Sequence, residues 1–360
     1  MRDAPLSPIH TAPQHSPRPL PLFLDMLREQ TAAFPERRQA ALAGLAAYQA
    51  APRAPDRRPA PAISRQGRAL LRDYGGANSA EPLVLFVPSL INPPDILDLS
   101  DRQSLLRWLA AQGVRPLMLD WGSPCPEARN MDVTDHVEQL LVPLVRALPV
   151  PPILVGYCLG GTMAAAAACL TPVAGLAMIA APWRFSAFGA AARNDLSALW
   201  AAAKPTCDAM GLVPMEVLQS GFWRLDAART ISKYERFGAL DATSDEACGF
   251  VRLEDWANAG APLSYAAGRQ MFEDFFEADQ PGRGAWKLSS GVADPLALPL
   301  PTIDFVSTTD RIVPAASAAG FANRHETNAG HVGMVVGGRA QSALWEPLAG
   351  WISSTWAAKD

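Results

Sequence analysis

What this 360-residue chain lacks narrows its function early. It has no C-x-x-C pair, and its five cysteines (Cys125, Cys158, Cys169, Cys207, Cys248) are odd in number and widely spaced, so neither a disulfide framework nor a zinc site is indicated. No basic run occurs. With 31 Lys+Arg against 35 Asp+Glu, a formal charge of -4, a nucleic-acid partner has no electrostatic footprint. The opening MRDAPLSPIH holds no apolar signal core, which together with reduced thiols predicts a cytoplasmic protein. Charge of either sign is missing altogether from Ala147 to Trp183, a span of 37 residues. A transmembrane helix needs about 20 continuous apolar residues, whereas Pro149, Pro151, Pro152, Gly156, Gly160, Gly161 and Thr171-Pro172 break this stretch. It predicts the buried centre of a core rather than a membrane span.

Apolar residues make up 49% of the chain and charged residues 18%, a globular composition. Residues 1–65 hold 11 of the 33 prolines, which predicts a proline-rich N-terminal arm with short helices between about Leu22 and Ala50. From residue 83, short apolar runs alternate with helical stretches: Leu83–Val87, Leu99–Gln112, Val114–Trp121, Val133–Leu148, Ile153–Gly156 and Val173–Ala180. Thr302–Ser307 and a last helix near Gln341–Ser353 continue the series. This alternation implies βαβ units and a mostly parallel sheet with helices on both faces, an α/β domain over residues 66–360. Residues from about 183 to 280 interrupt it with Trp, Phe and charges at helical spacing, and read as a helical lid insertion.

One motif carries chemistry. After the strand Pro152-Ile153-Leu154-Val155 comes Gly156-Tyr157-Cys158-Leu159-Gly160-Gly161 and then the helix-forming Thr162–Ala166. This is the G-x-S-x-G nucleophile elbow of the α/β-hydrolase fold with cysteine in place of serine. The glycines let strand and helix meet closely, and the turn lifts Cys158 to a helix N-terminus, where the macrodipole favours thiolate. In this fold the chain order is nucleophile, acid, histidine. His10, His15 and His136 precede the elbow, leaving His331 in Asn328-Ala329-Gly330-His331 as the expected base and His325 as its rival. Asp310, at the end of the strand Thr302–Ser307, is the expected orienting acid; it could instead cap the next element, and Asp304 is the weaker candidate. An oxyanion would be held by the backbone N–H of Leu159 and by that of Leu90 or Ile91. No metal or cofactor is called for.

Several segments together resemble the polyhydroxyalkanoate synthases, most closely the short class III catalytic subunits: Val87-Pro88-Ser89-Leu90-Ile91-Asn92, Ile96-Leu97-Asp98-Leu99, Leu119-Asp120-Trp121-Gly122 and the elbow itself. Leu253-Glu254-Asp255-Trp256 and Ala329-Gly330-His331-Val332-Gly333 match in kind and order. Arg311, where the family has histidine, and Ser89, where it has proline, depart from it. The resemblance implies a Cys158, His331 and Asp310 triad that polymerises 3-hydroxyacyl groups from a coenzyme A thioester. It also implies a homodimer or a companion synthase subunit, and association with the surface of a polyester granule. A cysteine-dependent thioesterase or polyester hydrolase, and a non-catalytic granule or partner-binding homologue, are the alternatives.

Overall fold

The computed structural model describes residues 15–53, 57–75 and 81–358. The expectations for His10 and for the rest of residues 1–14 lie outside the described residues. Eight strands form the main sheet: β1 Ala62–Gln66, β2 Ala69–Asp73, β3 Leu83–Val87, β4 Arg115–Asp120, β5 Ile153–Tyr157, β6 Gly175–Ile179, β7 Thr302–Ser307 and β8 Arg324–Thr327. Their order across the sheet is β1-β2-β4-β3-β5-β6-β7-β8. β1 runs antiparallel to β2, and β2 antiparallel to β4; all other neighbours are parallel. Every residue of β3, β5 and β6 is buried, which is why these strands read as unbroken apolar runs rather than as alternating ones.

The expected strands at Leu83–Val87 and Thr302–Ser307 match to the residue, and the α/β-hydrolase fold is as anticipated. The helix expected from Leu99 begins only at Leu105, because Ser104 Oγ accepts the Arg107 N–H at 3.1 Å and caps it there. The β1–β2 hairpin was not anticipated. It turns at Gly67, whose φ of 56° suits glycine, and it carries residues 62–65 into the sheet instead of leaving them in an arm.

The described residues fall into two units, one of 15–53 with 227–258 and the other of 57–226 with 259–358. The expected insertion of 183–280 is therefore divided, since its middle belongs with the N-terminal helices. In that smaller unit, Leu20–Gln30, Pro35–Ala50, Ala227–Phe237 and Asp245–Asn258 are helices. Two of them touch backbone to backbone: a Cβ on Gly44 would lie 1.9 Å from the Tyr234 carbonyl oxygen. Rings of Phe23, Tyr48 and Phe250 stand around Tyr234 at 4.9, 5.8 and 5.4 Å. The Glu254 carboxylate, buried among them, accepts from Lys233 Nζ at 2.6 Å and from the Tyr234 hydroxyl at 2.9 Å. Next to it, Asp255 accepts from the Tyr48 hydroxyl at 2.6 Å and from both arms of Arg53. These pairs, together with the aromatic cluster, are the physical reason the segment leaves the expected lid.

In the larger unit, the charge-free stretch consists of β5, the helix Leu159–Ala168 and β6. All ten residues of that helix are buried, and its alanines allow a close fit against the sheet.

Replacing Glu254 by alanine should leave the Lys233 ammonium and Tyr234 hydroxyl without their acceptor and lower stability by about 3–5 kcal/mol. Removing the exposed Asp101, a partner of Arg57, should cost less than about 1 kcal/mol. Urea unfolding of the two variants measures the contrast, and equal losses would sink the assignment.

Candidate active site

The end of β5 and the start of the next helix approach so closely that three glycines have no room for a side chain. A Cβ on Gly156 would meet Gly161 Cα at 2.3 Å, one on Gly160 the Val87 oxygen at 2.1 Å, and one on Gly161 the Ala181 Cβ at 2.3 Å. Between them Cys158 is driven to φ 55° and ψ −132°, a conformation that a side chain rarely adopts and that costs on the order of 1–3 kcal/mol. Its N–H donates to the Ile179 carbonyl at 3.0 Å and its carbonyl accepts from Gly161 at 2.9 Å, which fixes the strained residue to the end of β6 and to the helix.

His331 and Asp310 meet across two loops that follow β7 and β8. His331 Nδ1 lies 2.7 Å from Asp310 Oδ2, and both side chains are almost fully enclosed. The other carboxylate oxygen, Oδ1, accepts the N–H groups of Ile312 and Val313 at 2.8 and 2.9 Å, so the turn after Asp310 aims the carboxylate. The imidazole is also close enough to the Cys158 side chain for the two to interact electrostatically. Burial alone would depress the His331 pKa; the Asp310 carboxylate and the Cys158 sulfur outweigh it and raise the pKa to about 10. Beside the Asp310 carboxylate, the protonated imidazole is the form this geometry favours near neutral pH.

The other histidines are engaged elsewhere. His325 sits on β8, where Nε2 faces the Ala343 carbonyl at 3.0 Å and the ring packs on Phe305. His136 is buried between the Asp132 carbonyl and the Arg68 guanidinium, and burial lowers its pKa to about 4. His15 lies 3.7 Å from Asp255 in the smaller unit. Asp304 is engaged elsewhere: its Oδ2 accepts the N–H groups of Gly320 and Phe321 at 2.9 and 3.0 Å and closes that loop.

Leu159 opens the helix, so its N–H is one of the first-turn donors without an acceptor inside the helix. Of the two early-loop donors, the Ile91 N–H is taken by Ser89 Oγ at 3.2 Å, whereas the Leu90 N–H makes no hydrogen bond among the described residues. The same loop is tied down by Trp121 Nε1, which donates to the Pro88 carbonyl at 2.9 Å.

One residue of the site was missed in the sequence. The Tyr157 ring stacks on His331 with centroids 5.2 Å apart, and its hydroxyl donates to the His331 carbonyl at 3.5 Å. Its place one residue before the nucleophile, inside a buried strand, was the available clue. Among the described residues no group of three His, Cys, Asp or Glu side chains is arranged to hold a metal, and no helix is long and apolar enough to cross a membrane.

A strained cysteine on a strand-to-helix turn, backed by an aspartate and a histidine that follow in that order, defines an α/β-hydrolase site. The model of the alpha/beta hydrolase family matches residues 84–340, and the chain belongs to that family. Within it, the chain is similar to the poly(3-hydroxyalkanoate) polymerase subunit PhaC of Haloferax mediterranei, 28% identical over 286 residues that cover 75% of this chain and 58% of that one. It is similar also to the subunit of the same name from Allochromatium vinosum, 25% identical over 318 residues, with 82% and 88% covered. The resemblance read from the motifs is thus borne out, although the chain spans less than two thirds of the length of the Haloferax relative. Among solved structures, an esterase from Thermogutta terrifontis with malate bound superposes with a TM-score of 0.52 at 16% identity, covering 84% of this chain and 99% of that one. A Bacillus megaterium epoxide hydrolase in complex with an inhibitor gives 0.51 at 15%, covering 81% and 99%. Both show the shared fold.

Because the folded pKa of His331 lies above its free value of about 6.5, the stabilisation by its proton is complete below that pH. It is lost as pH rises toward about 10. Urea unfolding should show the wild type losing about 4 kcal/mol between pH 6.5 and 10 relative to His331→Gln. Parallel curves for the two proteins would refute the ion-paired imidazolium.

Proposed function

We propose that the chain is an acyltransferase of the polyhydroxyalkanoate synthase kind, with Cys158 as nucleophile, His331 as base and Asp310 as the orienting acid. The observation that carries this reading is the strained Cys158 at the elbow together with an enclosed histidine that is itself locked to a buried carboxylate. Cys158 sulfur adds to the carbonyl of a 3-hydroxyacyl-coenzyme A thioester. The carbonyl oxygen takes up negative charge, for which the N–H groups of Leu159 and Leu90 are the proposed donors. The bond to the coenzyme A sulfur then breaks, and coenzyme A leaves with the proton held by His331. The neutral imidazole next removes the proton from the terminal hydroxyl of a growing chain, whose oxygen attacks the acyl-cysteine and restores the thiol.

Thioester exchange suits a cysteine, since one thioester replaces another and the acyl-enzyme stays reactive toward an alcohol. The enclosure of the site favours a bulky alcohol over water as acceptor. Coenzyme A enters and departs with the substrate, so the reading requires no resident cofactor. It also includes a second copy or a companion subunit, and a polyester granule surface, as partners.

Purified protein given 3-hydroxyacyl-coenzyme A should release free coenzyme A thiol and deposit sedimentable polyester, and Cys158→Ala should lose both by a factor of about 10³ or more. Soluble hydroxyacid as the sole product would replace this reading with a hydrolase.

A further inference from the structure

Cys158 opens onto a cavity of about 590 Å³, counting its mouth. Its walls come from the loops after β3, β6 and β7 and from the helices Met215–Leu225 and Tyr265–Glu277, and no lining side chain carries a charge, an amide or a hydroxyl. Phe185, Phe222, Phe276 and Ile312 are among its walls. Such a lining offers nothing to a polar polymer segment or to the phosphates of a nucleotide. It solvates hydrocarbon.

One wall residue stands apart. Gly221 is the seventh residue of the eleven-residue helix Met215–Leu225, and glycine inside a helix is disfavoured relative to alanine. Neither of the usual reasons for glycine applies there. Its φ is not positive, and an added Cβ would meet only the ends of two flexible side chains, Leu196 Cδ2 at 3.1 Å and Leu199 Cδ2 at 3.6 Å. This differs from Gly156, Gly160 and Gly161, where backbone or a neighbouring Cβ forbids any side chain. Gly221 lines the cavity that begins at the sulfur, and a side chain placed there would press on Leu196, another of its walls.

We infer that the site accepts acyl thioesters whose alkyl tail extends well beyond four carbons, and that Gly221 sets the tail length admitted. The inference rests on the reading of Cys158 as the acyl acceptor. The carbonyl lies at the sulfur and the hydroxyl-bearing carbon 3 near the imidazole, and the methylenes beyond carbon 3 fill the apolar cavity. Each buried methylene raises transition-state binding by up to about fourfold.

The test uses the full chain with 3-hydroxybutyryl- and 3-hydroxyoctanoyl-coenzyme A, following initial coenzyme A release and the intact mass of the acyl-enzyme. The wild type should favour the eight-carbon donor in kcat/KM by at least about tenfold, within the ceiling set by four added methylenes. Gly221→Leu should lower the eight-to-four-carbon ratio by about tenfold or more. Gly221→Ala, which favours the helix, should lower it by a smaller factor and guards against a folding defect in the larger variant. A wild type that acylates Cys158 from both donors with no preference for the longer overturns the inference alone. A ratio unchanged in both variants overturns the role of Gly221. Absence of acyl-enzyme with every donor overturns the acyl-transfer reading and takes the inference with it.

Discussion

The close backbone approach at the end of β5 is the constraint on which the rest of the site depends. Gly156 and Gly161 lie so near one another that even one methyl group would force strand and helix apart. That contact drives Cys158 into positive φ, lifts the sulfur above the sheet and presents the first N–H of the helix beside it. A conformation of this kind persists only where its surroundings overdetermine it. Here the surroundings are a fully buried alanine helix on one side and three fully buried parallel strands on the other. The same requirement explains the missing charge from Pro152 to Ala168, where every residue is buried around the elbow.

A second layer of order is electrostatic. The carboxylate of Asp310 accepts two backbone N–H groups and the imidazole, so it cannot rotate without giving up a bond. The Tyr157 ring limits the tilt of His331 from one face. In an enclosed site of low effective dielectric, each of these interactions is stronger than it would be at the surface. A small number of well-aimed groups therefore suffices to keep the imidazole charged where burial alone would discharge it.

The elbow, the parallel strands and the order Cys158, Asp310, His331 were legible because each leaves a local trace. Glycines mark the turn, apolar runs mark strands covered on both faces, and a lone histidine between glycines marks a loop. What was not legible depends on contacts between distant segments. Nothing in Ala227–Phe237 distinguishes a lid helix from one that packs Tyr234 among Phe23, Tyr48 and Phe250. Similarly, Ser307–Pro314 could offer Asp310 to a histidine or to a helix end, and only the meeting of the two loops decides it. The Ser89 hydroxyl, which takes the Ile91 N–H and leaves that of Leu90 open, is a turn whose geometry the sequence does not spell out.

The two-segment construction of the smaller unit has a consequence for how the chain is made. Arg37 pairs with Glu235 across 198 residues, and Arg53 with Asp255 across 202. At a synthesis rate of about 5–20 residues per second, the N-terminal helices emerge roughly 10–40 s before their partners exist. Helices of 11 and 16 residues are marginal by themselves in water. For that interval Phe23 and Tyr48 have no partners from residues 227–258. Closure of the unit is thus one of the later events on the ribosome, and the first helices the cell makes wait to be folded by residues encoded some six hundred nucleotides downstream.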